Sequence, residues 1–493
     1  MKMTNEKSRR EFLKGTAWMG IAAAATGCMG RGMKLTGGYG APMQDYADKP
    51  MDVVRIGIVG LGHRGLAAAS RIAVIPGAEI VALCDVVPER VAEAQKWRTD
   101  NGHRKAREYT GFDGFPRMCD ADDIDVIYNV TCWEVHNYIN CMAMEHGKHV
   151  MTEIPGALTI EECWQQVETS ERTKRHCYTL ENVCYGEYEM LALNMVRLGL
   201  FGEVVHGEGG YIHDARAAFL PSDDPSRKVV FDNKMGKGTG PDPWTNHWAQ
   251  RHGALYTMHG LGPIARCMNV NRGDRMEYLV SLESKPAALE AFAKAKFPKG
   301  TWQHDYKMVR GDVSSSLVRT ALGKSIFLQH NTVSPRPYSR LNLLVGVRGE
   351  FRSYPELKFA FEEKLGDEGA NKYFDEKKTE ELREKYKHPL WKLAGDVAKR
   401  VGGHGGKDFV MDLRWIYCLR NGLPMDMDVY DMAAWSSIYE CTEKSVNGRS
   451  APVDIPDFTR GAWKTAKPFA PEEFDPAKLN LEGVGNAGEQ YKI

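Results

Sequence analysis

The sequence has no excess of charge of either sign, because 65 lysine and arginine residues balance 65 aspartate and glutamate residues. Nucleic acids and acidic membrane surfaces attract strongly basic chains, so neither is expected as a partner. The 11 cysteines include no C-x-x-C pair. This odd, unpatterned set argues against a disulfide framework and a zinc ribbon, and no metal site is expected. The chain also lacks internal repeats and low-complexity tracts.

Near the N-terminus there is no apolar run long enough to span a membrane. Residues 15–27 are apolar but short and rich in alanine and glycine. They follow the pair Arg9 and Arg10, and this order is typical of a twin-arginine (Tat) export signal. Ala-Thr-Gly before Cys28 is similar to a lipoprotein cleavage site. We predict a signal and linker over 1–50, and a periplasmic or lipid-anchored protein. The alternative is an amphipathic helix.

The chain is organised around a glycine-rich loop at 53–65. A β-branched run ends in Gly60-x-Gly62-x-x-Gly65, and an alanine-rich helical segment follows from Leu66. In dinucleotide sites the three glycines permit a tight turn, the approach of the pyrophosphate and close helix packing. A second apolar run ends at Asp85, about 20 residues later, where a ribose acceptor is expected. We predict NAD as cofactor, because Asp85 would repel a 2′-phosphate. The alternative is an ordinary turn with an incidental acid.

Strand and helix patterns alternate after this loop. We predict helices over 88–100, 136–146 and 160–175, with an exposed polar segment after the first, and strands over 125–131, 149–153 and 177–182. The carboxyl ends of parallel strands meet at one edge of an open sheet, and ligands bind there. The side chains expected to line that crevice are Asp85, the segment Trp133 to His136, Glu153 and Asn182.

These motifs, taken together, resemble the Gfo/Idh/MocA superfamily of NAD(P)-dependent sugar oxidoreductases. The superfamily's Glu-Lys-Pro motif stands here as Glu153-Ile154-Pro155. In its dehydrogenases the motif lysine contacts the reacting hydroxyl and helps its proton leave. Ile154 cannot do this. An acid–base group must therefore come from elsewhere, or the reaction must differ.

The second half of the sequence narrows this resemblance to one family, glycoside hydrolase family 109, whose members are NAD-containing α-N-acetylgalactosaminidases. The similarity runs over about 54–431. Its most specific motifs are Trp133–His136, Tyr256–His259 followed by Gly-Leu-Gly-Pro, and the glycine cluster 402–406. The resemblance implies an exported glycosidase that hydrolyses α-linked N-acetylgalactosamine or a related sugar. NAD would oxidise the sugar at C3, elimination across C1–C2 would expel the aglycone, and water addition and re-reduction would recycle NAD each turn.

The resemblance also assigns the residues of the site. Those that contact cofactor, with the three glycines, are His63, Arg64, Asp85, Trp133, Glu134, Val135, His136, Glu153, Ile154 and Asn182. Those that contact substrate are Tyr211, Tyr256, Thr257, Met258, His259 and Tyr338. The catalytic pair is Tyr256 and His259.

The spacing of Tyr256 and His259 suits a shared substrate, because residues three apart lie on one helical face. Histidine is the natural base near neutral pH. Tyr256 would need a lowered pKa to act as a base. Three departures from the family pattern concern the substrate. Thr257-Met258 replaces the family's Pro-Thr, Trp244 occupies the position of an arginine that contacts substrate in the family, and Lys407 occupies a position where methionine is common.

Structural roles are the alternatives for several of these residues. His259 would then be a core histidine, and the three tyrosines core or rim aromatics. His136 would only cap a helix, and Glu153 would be a turn acid. His404 among glycines has no partner at metal-ligand spacing, so a flexible turn near the site is favoured.

The predicted fold class is α/β, with a doubly wound Rossmann domain at 51–182. An α/β substrate and oligomerisation domain follows at 183–445, with an open, mainly antiparallel sheet. A tail at 446–493 should pack on the surface. The superfamily commonly pairs subunits through the outer face of that sheet, which implies a homo-oligomer. The alternative functions are a net NAD(P)-dependent sugar dehydrogenase and a carbohydrate-binding protein without turnover.

Overall fold

The computed structural model describes residues 42–220, 249–362, 371–468, 475–479, 481, 482 and 484. Most of the predicted export signal, together with Trp244, lies outside the described residues. Within them, no helix combines the length and apolarity needed to cross a membrane.

The first sheet contains six strands: β1 (Val54–Val59), β2 (Ala78–Asp85), β3 (Arg107–Thr110), β4 (Val126–Asn129), β5 (His149–Thr152) and β6 (Cys177–Thr179). All pairs are parallel, in the order β3-β2-β1-β4-β5-β6. The order reverses between β1 and β4, which opens a crevice at their carboxyl ends. The predicted Rossmann sheet is confirmed.

The helices of this half are α1 (His63–Ile72), α2 (Pro88–Asp100), α3 (Gly114–Cys119), α4 (His136–Glu145), α5 (Ile160–Thr173) and α6 (Glu187–Arg197). The helix predicted from Leu66 begins three residues earlier, at His63. The segment predicted to be only polar and exposed contains β3 and α3. As an edge strand β3 carries exposed Arg107 and Glu108, so it lacks an apolar pattern.

The second sheet contains eight strands: β7 (Val204–Ile212), β8 (Met276–Glu283), β9 (Ser314–Thr320), β10 (Ser325–Asn331), β11 (Ser339–Gly346), β12 (Gly349–Arg352), β13 (Lys358–Phe361) and β14 (Val453–Asp454). Their order is β13-β12-β11-β7-β10-β9-β8-β14, and the pair β7–β10 is parallel. The open, mainly antiparallel sheet is confirmed. Part of the predicted tail supplies β14, and Ile455 and Phe458 after it are buried.

The remaining helices are α7 (Arg216–Phe219), α8 (Met258–Cys267), α9 (Ala288–Lys296), α10 (Trp302–Asp305), α11 (Glu376–Tyr386), α12 (Pro389–Val401), α13 (Lys407–Asn421), α14 (Val429–Asn447) and α15 (Pro476–Leu479). Helix α13 packs against the first sheet although it lies late in the chain. Arg71 of α1 donates from Nε to Asp412 Oδ2 of α13 at 2.6 Å, and both side chains are buried. This ion pair brings the start of α13 to the glycine-rich loop.

Candidate active site

The three glycines of the loop serve different needs. Gly60 has a φ of +89°, and a Cβ on Gly65 would lie 1.9 Å from the Gly60 carbonyl oxygen. A Cβ on Gly62 would meet nothing within 4 Å. The fold itself therefore requires Gly60 and Gly65. The open space at Gly62, where α1 begins, is what a close-approaching pyrophosphate needs.

Asp85 lies at the end of β2, beside the glycine-rich loop. Its Oδ2 accepts a hydrogen bond from the Leu61 amide at 2.7 Å, and its Oδ1 accepts one from the Val87 amide at 2.8 Å. The Nη1 atom of Arg90 lies 3.8 Å from Asp85 Oδ2. The carboxylate is thus fixed at the edge of the crevice, in the position predicted for a ribose acceptor.

Arg64 connects three parts of the chain. Its Nε donates to Glu153 Oε1 at 2.5 Å, and its Nη1 donates to Asp408 Oδ2 at 2.6 Å. Burial alone would raise the pKa of Asp408. The positive charge of Arg64 nevertheless holds this pKa well below its usual range. Asn182 also donates to Asp408, while its own Oδ1 is buried and has no partner among the described residues. That oxygen is an acceptor available to a bound ligand.

The other predicted cofactor residues divide into two groups. Trp133, Glu134 and Val135 form a short 3-10 helix after β4, and His63 is exposed at the start of α1. The Trp133 ring stacks on that of Tyr256, with centroids 5.7 Å apart, so the segment touches the substrate side.

The side chains of His136 and Ile154 serve the fold instead. Both ring nitrogens of fully buried His136 bond to backbone carbonyls, of Pro155 at 2.8 Å and of Thr131 at 3.0 Å. Ile154 is buried in the hydrophobic core. Neither side chain is well placed to contact a cofactor, because protein atoms already enclose both of them.

The predicted substrate residues meet where α8 crosses β7. Gly260 of α8 and Gly209 of β7 approach so closely that a Cβ on Gly260 would lie 2.6 Å from the Gly209 carbonyl carbon. This packing sets His259 against Tyr211, with ring centroids 5.2 Å apart. The Tyr256 ring lies 4.9 Å from Tyr211 and 5.1 Å from His259.

Tyr338 completes this aromatic cluster. Its ring is perpendicular to that of Tyr211 at 6.3 Å, and its hydroxyl accepts a hydrogen bond from Arg340 at 3.0 Å. Tyr211, Tyr256, His259 and Tyr338 are therefore brought together as predicted. Thr257 and Met258, also predicted to contact substrate, are residues only 1% and 2% exposed, because they are buried at the start of α8.

A buried carboxylate holds His259. Glu181 Oε1 accepts a hydrogen bond from His259 Nδ1 at 2.7 Å and another from the Val183 amide at 3.0 Å. Burial lowers the pKa of His259, and the positive charges of Lys407 and Arg340 lower it further. The negative charge of Glu181 raises this pKa but does not outweigh the burial. His259 is therefore neutral near pH 7, as a general base must be. Its role as a catalytic base rather than a core histidine fits this environment.

Tyr256 does not meet the condition for acting as a base in the described chain, because its pKa is not lowered. Burial raises it well above its usual value, and Tyr211, Glu153 and Glu181 add to this effect. Burial likewise raises the pKa of Tyr211. Both phenols remain protonated at neutral pH, so they are hydrogen-bond donors rather than bases.

Sequence reasoning missed three groups of the site. Glu181 precedes Asn182 at the end of a predicted strand, and that position was the available signal. Arg340 follows Tyr338 by two residues, but nothing in the sequence distinguishes it. Lys407 was noted only as a departure from a family pattern. Among the described residues, no group of three or more His, Cys, Asp or Glu side chains is arranged to hold a metal ion.

Two family models match this chain. "Glycosyl hydrolase 109, C-terminal domain" matches residues 185–465, and "Oxidoreductase family, NAD-binding Rossmann fold" matches residues 54–180. An alpha-N-acetylgalactosaminidase of Bacteroides fragilis is 43% identical over 418 residues, which cover 85% of this chain and 95% of that protein. A glycosyl hydrolase family 109 protein of Shewanella pealeana is 41% identical over 472 residues, 94% of this chain and 98% of that one.

Solved structures of similar fold include two dehydrogenases. Levoglucosan dehydrogenase in complex with NADH and levoglucosan has a TM-score of 0.58 at 17% identity, covering 82% of this chain and all of that one. Apo scyllo-inositol dehydrogenase from Lactobacillus casei has a TM-score of 0.55 at 16% identity, covering 83% and 99%. At such identities the similarity establishes the two-domain fold.

Proposed function

The chain belongs to glycoside hydrolase family 109 as an NAD-dependent glycoside hydrolase, and we propose that it releases α-linked N-acetylgalactosamine, or a closely related sugar, from glycan ends. The relative from Bacteroides fragilis, which carries that activity in its name, matches over 95% of its length. The observation that carries the proposal is the pair of His259 and Glu181 within the tyrosine cluster, because it supplies a base beside an aromatic surface of the kind that packs against sugars.

The residues of the first sheet fit NAD. The open space at Gly62 would accept the pyrophosphate, Asp85 would accept a ribose hydroxyl, and the buried, unpartnered Oδ1 of Asn182 would accept a further donor. When bound, NAD supplies reversible oxidation at C3 of the sugar, which permits elimination across C1–C2, addition of water and re-reduction without net consumption of the cofactor.

His259 is the base in this proposal. Its Nδ1 is engaged by Glu181, so Nε2 is the atom that accepts a proton from the substrate. The lowered pKa keeps it neutral before the transfer. Once His259 is protonated, the fully buried carboxylate of Glu181 stabilises the imidazolium and keeps the ring in place. Glu181 therefore acts as a positioning residue.

Tyr256 is the proton donor. Its raised pKa keeps the phenol protonated, and its ring lies against both His259 and Trp133. A phenol in this position can donate to an oxygen of the sugar as negative charge develops there.

The test is the balance between released sugar and reduced cofactor. The purified full-length chain with its bound NAD is incubated with p-nitrophenyl α-N-acetylgalactosaminide, and p-nitrophenol and absorbance at the NADH wavelength are followed together. The proposal predicts many turnovers of p-nitrophenol without accumulated NADH. Stoichiometric NADH would instead identify a net dehydrogenase, and sugar binding without either product would identify a binding protein.

We also propose that the chain is exported. Arg9 and Arg10 before the apolar residues 15–27 support the Tat route, and Cys28 supports a lipid anchor. Changing both arginines to lysine should keep the protein in the cytoplasm, and Cys28→Ala should release it from membranes. Unchanged fractionation of the two variants would contradict the respective proposals.

We further propose a homo-oligomer formed through the outer face of the second sheet. On that face Val280, Leu317 and Phe327 lie in register across three adjacent strands, and Leu317 is 52% exposed. A partly exposed apolar row of this kind is typical of subunit interfaces. Light scattering of the purified protein should give a multiple of the chain mass, and Leu317→Glu should reduce it. A monomer would contradict the proposal.

A further inference from the structure

Arg340 of β11 is held in place by a buried carboxylate. Its Nη2 donates to Glu189 Oε1 of α6 at 2.6 Å, and both residues are buried. The same oxygen accepts a hydrogen bond from Asn342 Nδ2 at 3.3 Å, which fixes the carboxylate in turn. Arg340 Cζ also lies 5.2 Å from the centroid of the Tyr354 ring. The guanidinium of Arg340 therefore has a well-defined position, because a buried ion pair and an adjacent ring restrict it.

This guanidinium determines which way the Tyr338 hydroxyl group points. Arg340 Nη1 lies 3.0 Å from Tyr338 Oη. A guanidinium has only N–H donors and no acceptor, so the phenolic oxygen must be the acceptor in this bond. The phenolic proton must then point away from Arg340. The positive charge of Arg340 also polarises the hydroxyl, which strengthens any hydrogen bond that this proton makes.

In the part of the chain that the structure describes, the phenolic proton of Tyr338 has no protein acceptor. A second arginine–tyrosine pair beside the same sheet shows the alternative. Arg352 Nη1 donates to Tyr373 Oη at 3.4 Å, and the Tyr373 hydroxyl donates onward to Glu350. Tyr338 and Tyr373 are similarly exposed, at 44% and 41%. The two tyrosines therefore differ in the acceptor for the proton and not in burial.

The unused donor of Tyr338 belongs to the aromatic cluster around the proposed base. The Tyr338 ring is perpendicular to that of Tyr211, with centroids 6.3 Å apart, and the Tyr211 ring is 5.2 Å from that of His259. Tyr338 is exposed, whereas the other two residues are only partly exposed. An exposed tyrosine can adopt several rotamers, and the bond to Arg340 favours one of them.

We propose that Arg340 is a positioning residue, which directs the Tyr338 hydroxyl to donate a hydrogen bond to an acceptor oxygen of the bound sugar. Glu189 in turn holds Arg340. A donor that is oriented before binding favours the complex, because less side-chain freedom is lost when the sugar binds. This inference rests on the proposed function, because it concerns recognition of the substrate at the same site.

A double-mutant cycle tests whether Arg340 acts through Tyr338. The variants are Tyr338→Phe, Arg340→Met and their combination, each prepared as holoenzyme. Calorimetry with N-acetylgalactosamine measures binding, and thermal unfolding measures stability. We expect each single variant to weaken binding by about 3- to 10-fold, as for one lost hydrogen bond. The combined variant should bind no more weakly than Tyr338→Phe alone.

The same cycle separates positioning from two other roles of Arg340. If Arg340 only stabilised the fold, Arg340→Met would lower the unfolding temperature and leave binding unchanged. If Arg340 bound the sugar directly, the two losses of affinity would multiply in the combined variant. Either result would overturn the inference.

Removal of Arg340 leaves the buried carboxylate of Glu189 without its cation, which destabilises the fold. Arg340→Lys keeps a positive charge there and serves in the same cycle if Arg340→Met does not fold. A single ammonium cannot reproduce the two-pronged contact with Glu189 and Tyr338. The matched controls are Arg352→Met and Tyr373→Phe, which break the other arginine–tyrosine pair and should leave sugar binding unchanged.

Kinetics distinguish failure of the inference from failure of the proposed function. With p-nitrophenyl α-N-acetylgalactosaminide, the losses of Tyr338→Phe and Arg340→Met should be mainly in KM. If no glycoside is cleaved but the binding cycle gives the expected result, the proposed function fails while the inference stands. If glycosides are cleaved and the two losses multiply, the inference alone fails. No binding of N-acetylgalactosamine by the wild-type holoenzyme would also overturn the inference, whatever the outcome with glycosides.

Discussion

The two sides of the site are held together by different forces. On the first-sheet side, charged groups form a frame in which Arg64 bridges Glu153 and Asp408, and Arg71 binds Asp412. On the second-sheet side, aromatic rings pack around one histidine–carboxylate pair. The frame is suited to a cofactor that stays bound, because its geometry is fixed by ion pairs. In the proposed function, the aromatic side binds the sugar substrate and releases the product after each turnover.

This comparison separates two measurable properties. Changes on the aromatic side should alter turnover and leave bound NAD in place. Changes in the glycine-rich loop should alter NAD retention first.

The largest effect is expected from His259→Ala. Loss of the base should reduce kcat by about 10³-fold, within the range of general acid–base catalysis. NAD should remain bound, because His259 Nδ1 contacts Glu181 and the frame is untouched. The rate of p-nitrophenol release and the NAD content of the denatured protein check this. His213→Ala, in the same ring cluster, is the control and should lose less. A near wild-type rate for His259→Ala would remove this residue from the mechanism.

A smaller effect is expected from Glu181→Gln, about 10- to 100-fold in kcat/KM, as the ring loses its fixed orientation. The charge of Glu181 raises the pKa of His259, so its removal should lower that pKa. Because His259 must be neutral to act, the loss of activity on acidification should move to lower pH. A pH profile of kcat/KM measures the shift. An acid limb that stays in place or moves to higher pH would show that Glu181 does not act on the base.

The smallest effect on turnover is expected from Gly62→Ala. Its Cβ meets no protein atom, so the free energy of unfolding should change by less than about 1 kcal/mol. Affinity for NAD should fall about 10-fold, because the methyl group occupies the space of the pyrophosphate. Gly65→Ala is the matched contrast. Its Cβ would lie 1.9 Å from a backbone oxygen, so the protein should lose about 1–3 kcal/mol of stability.

Urea unfolding and calorimetry with NAD distinguish these two glycine variants. If Gly62→Ala destabilised the fold as much as Gly65→Ala, the open space at Gly62 would not be a cofactor feature.

The first-sheet side could be predicted from local sequence. Gly60, Gly62 and Gly65 lie within six residues, and Asp85 ends the next strand, so short-range patterns were sufficient. Strand β3 was missed because its edge position removes the apolar pattern.

The second-sheet side depends on contacts between distant residues. Glu181 and His259 are 78 positions apart, and the frame of the first-sheet side has one such pair as well, because Arg64 and Asp408 are 344 apart. No spacing rule connects such pairs. The raised pKa of Tyr256 could not be predicted from the sequence either, because the burial that causes it follows from the packing of Trp133 and Tyr211 around the ring.

The central proposal is that the glycosidic bond is broken by elimination after a proton is removed from C2 of the sugar. Hydrolysis of p-nitrophenyl α-N-acetylgalactosaminide in deuterium oxide, followed by NMR of the released sugar, tests it most directly. The account predicts deuterium at C2 of the product without accumulated NADH. Released sugar that keeps its original hydrogen at C2 would point to direct displacement and contradict the account.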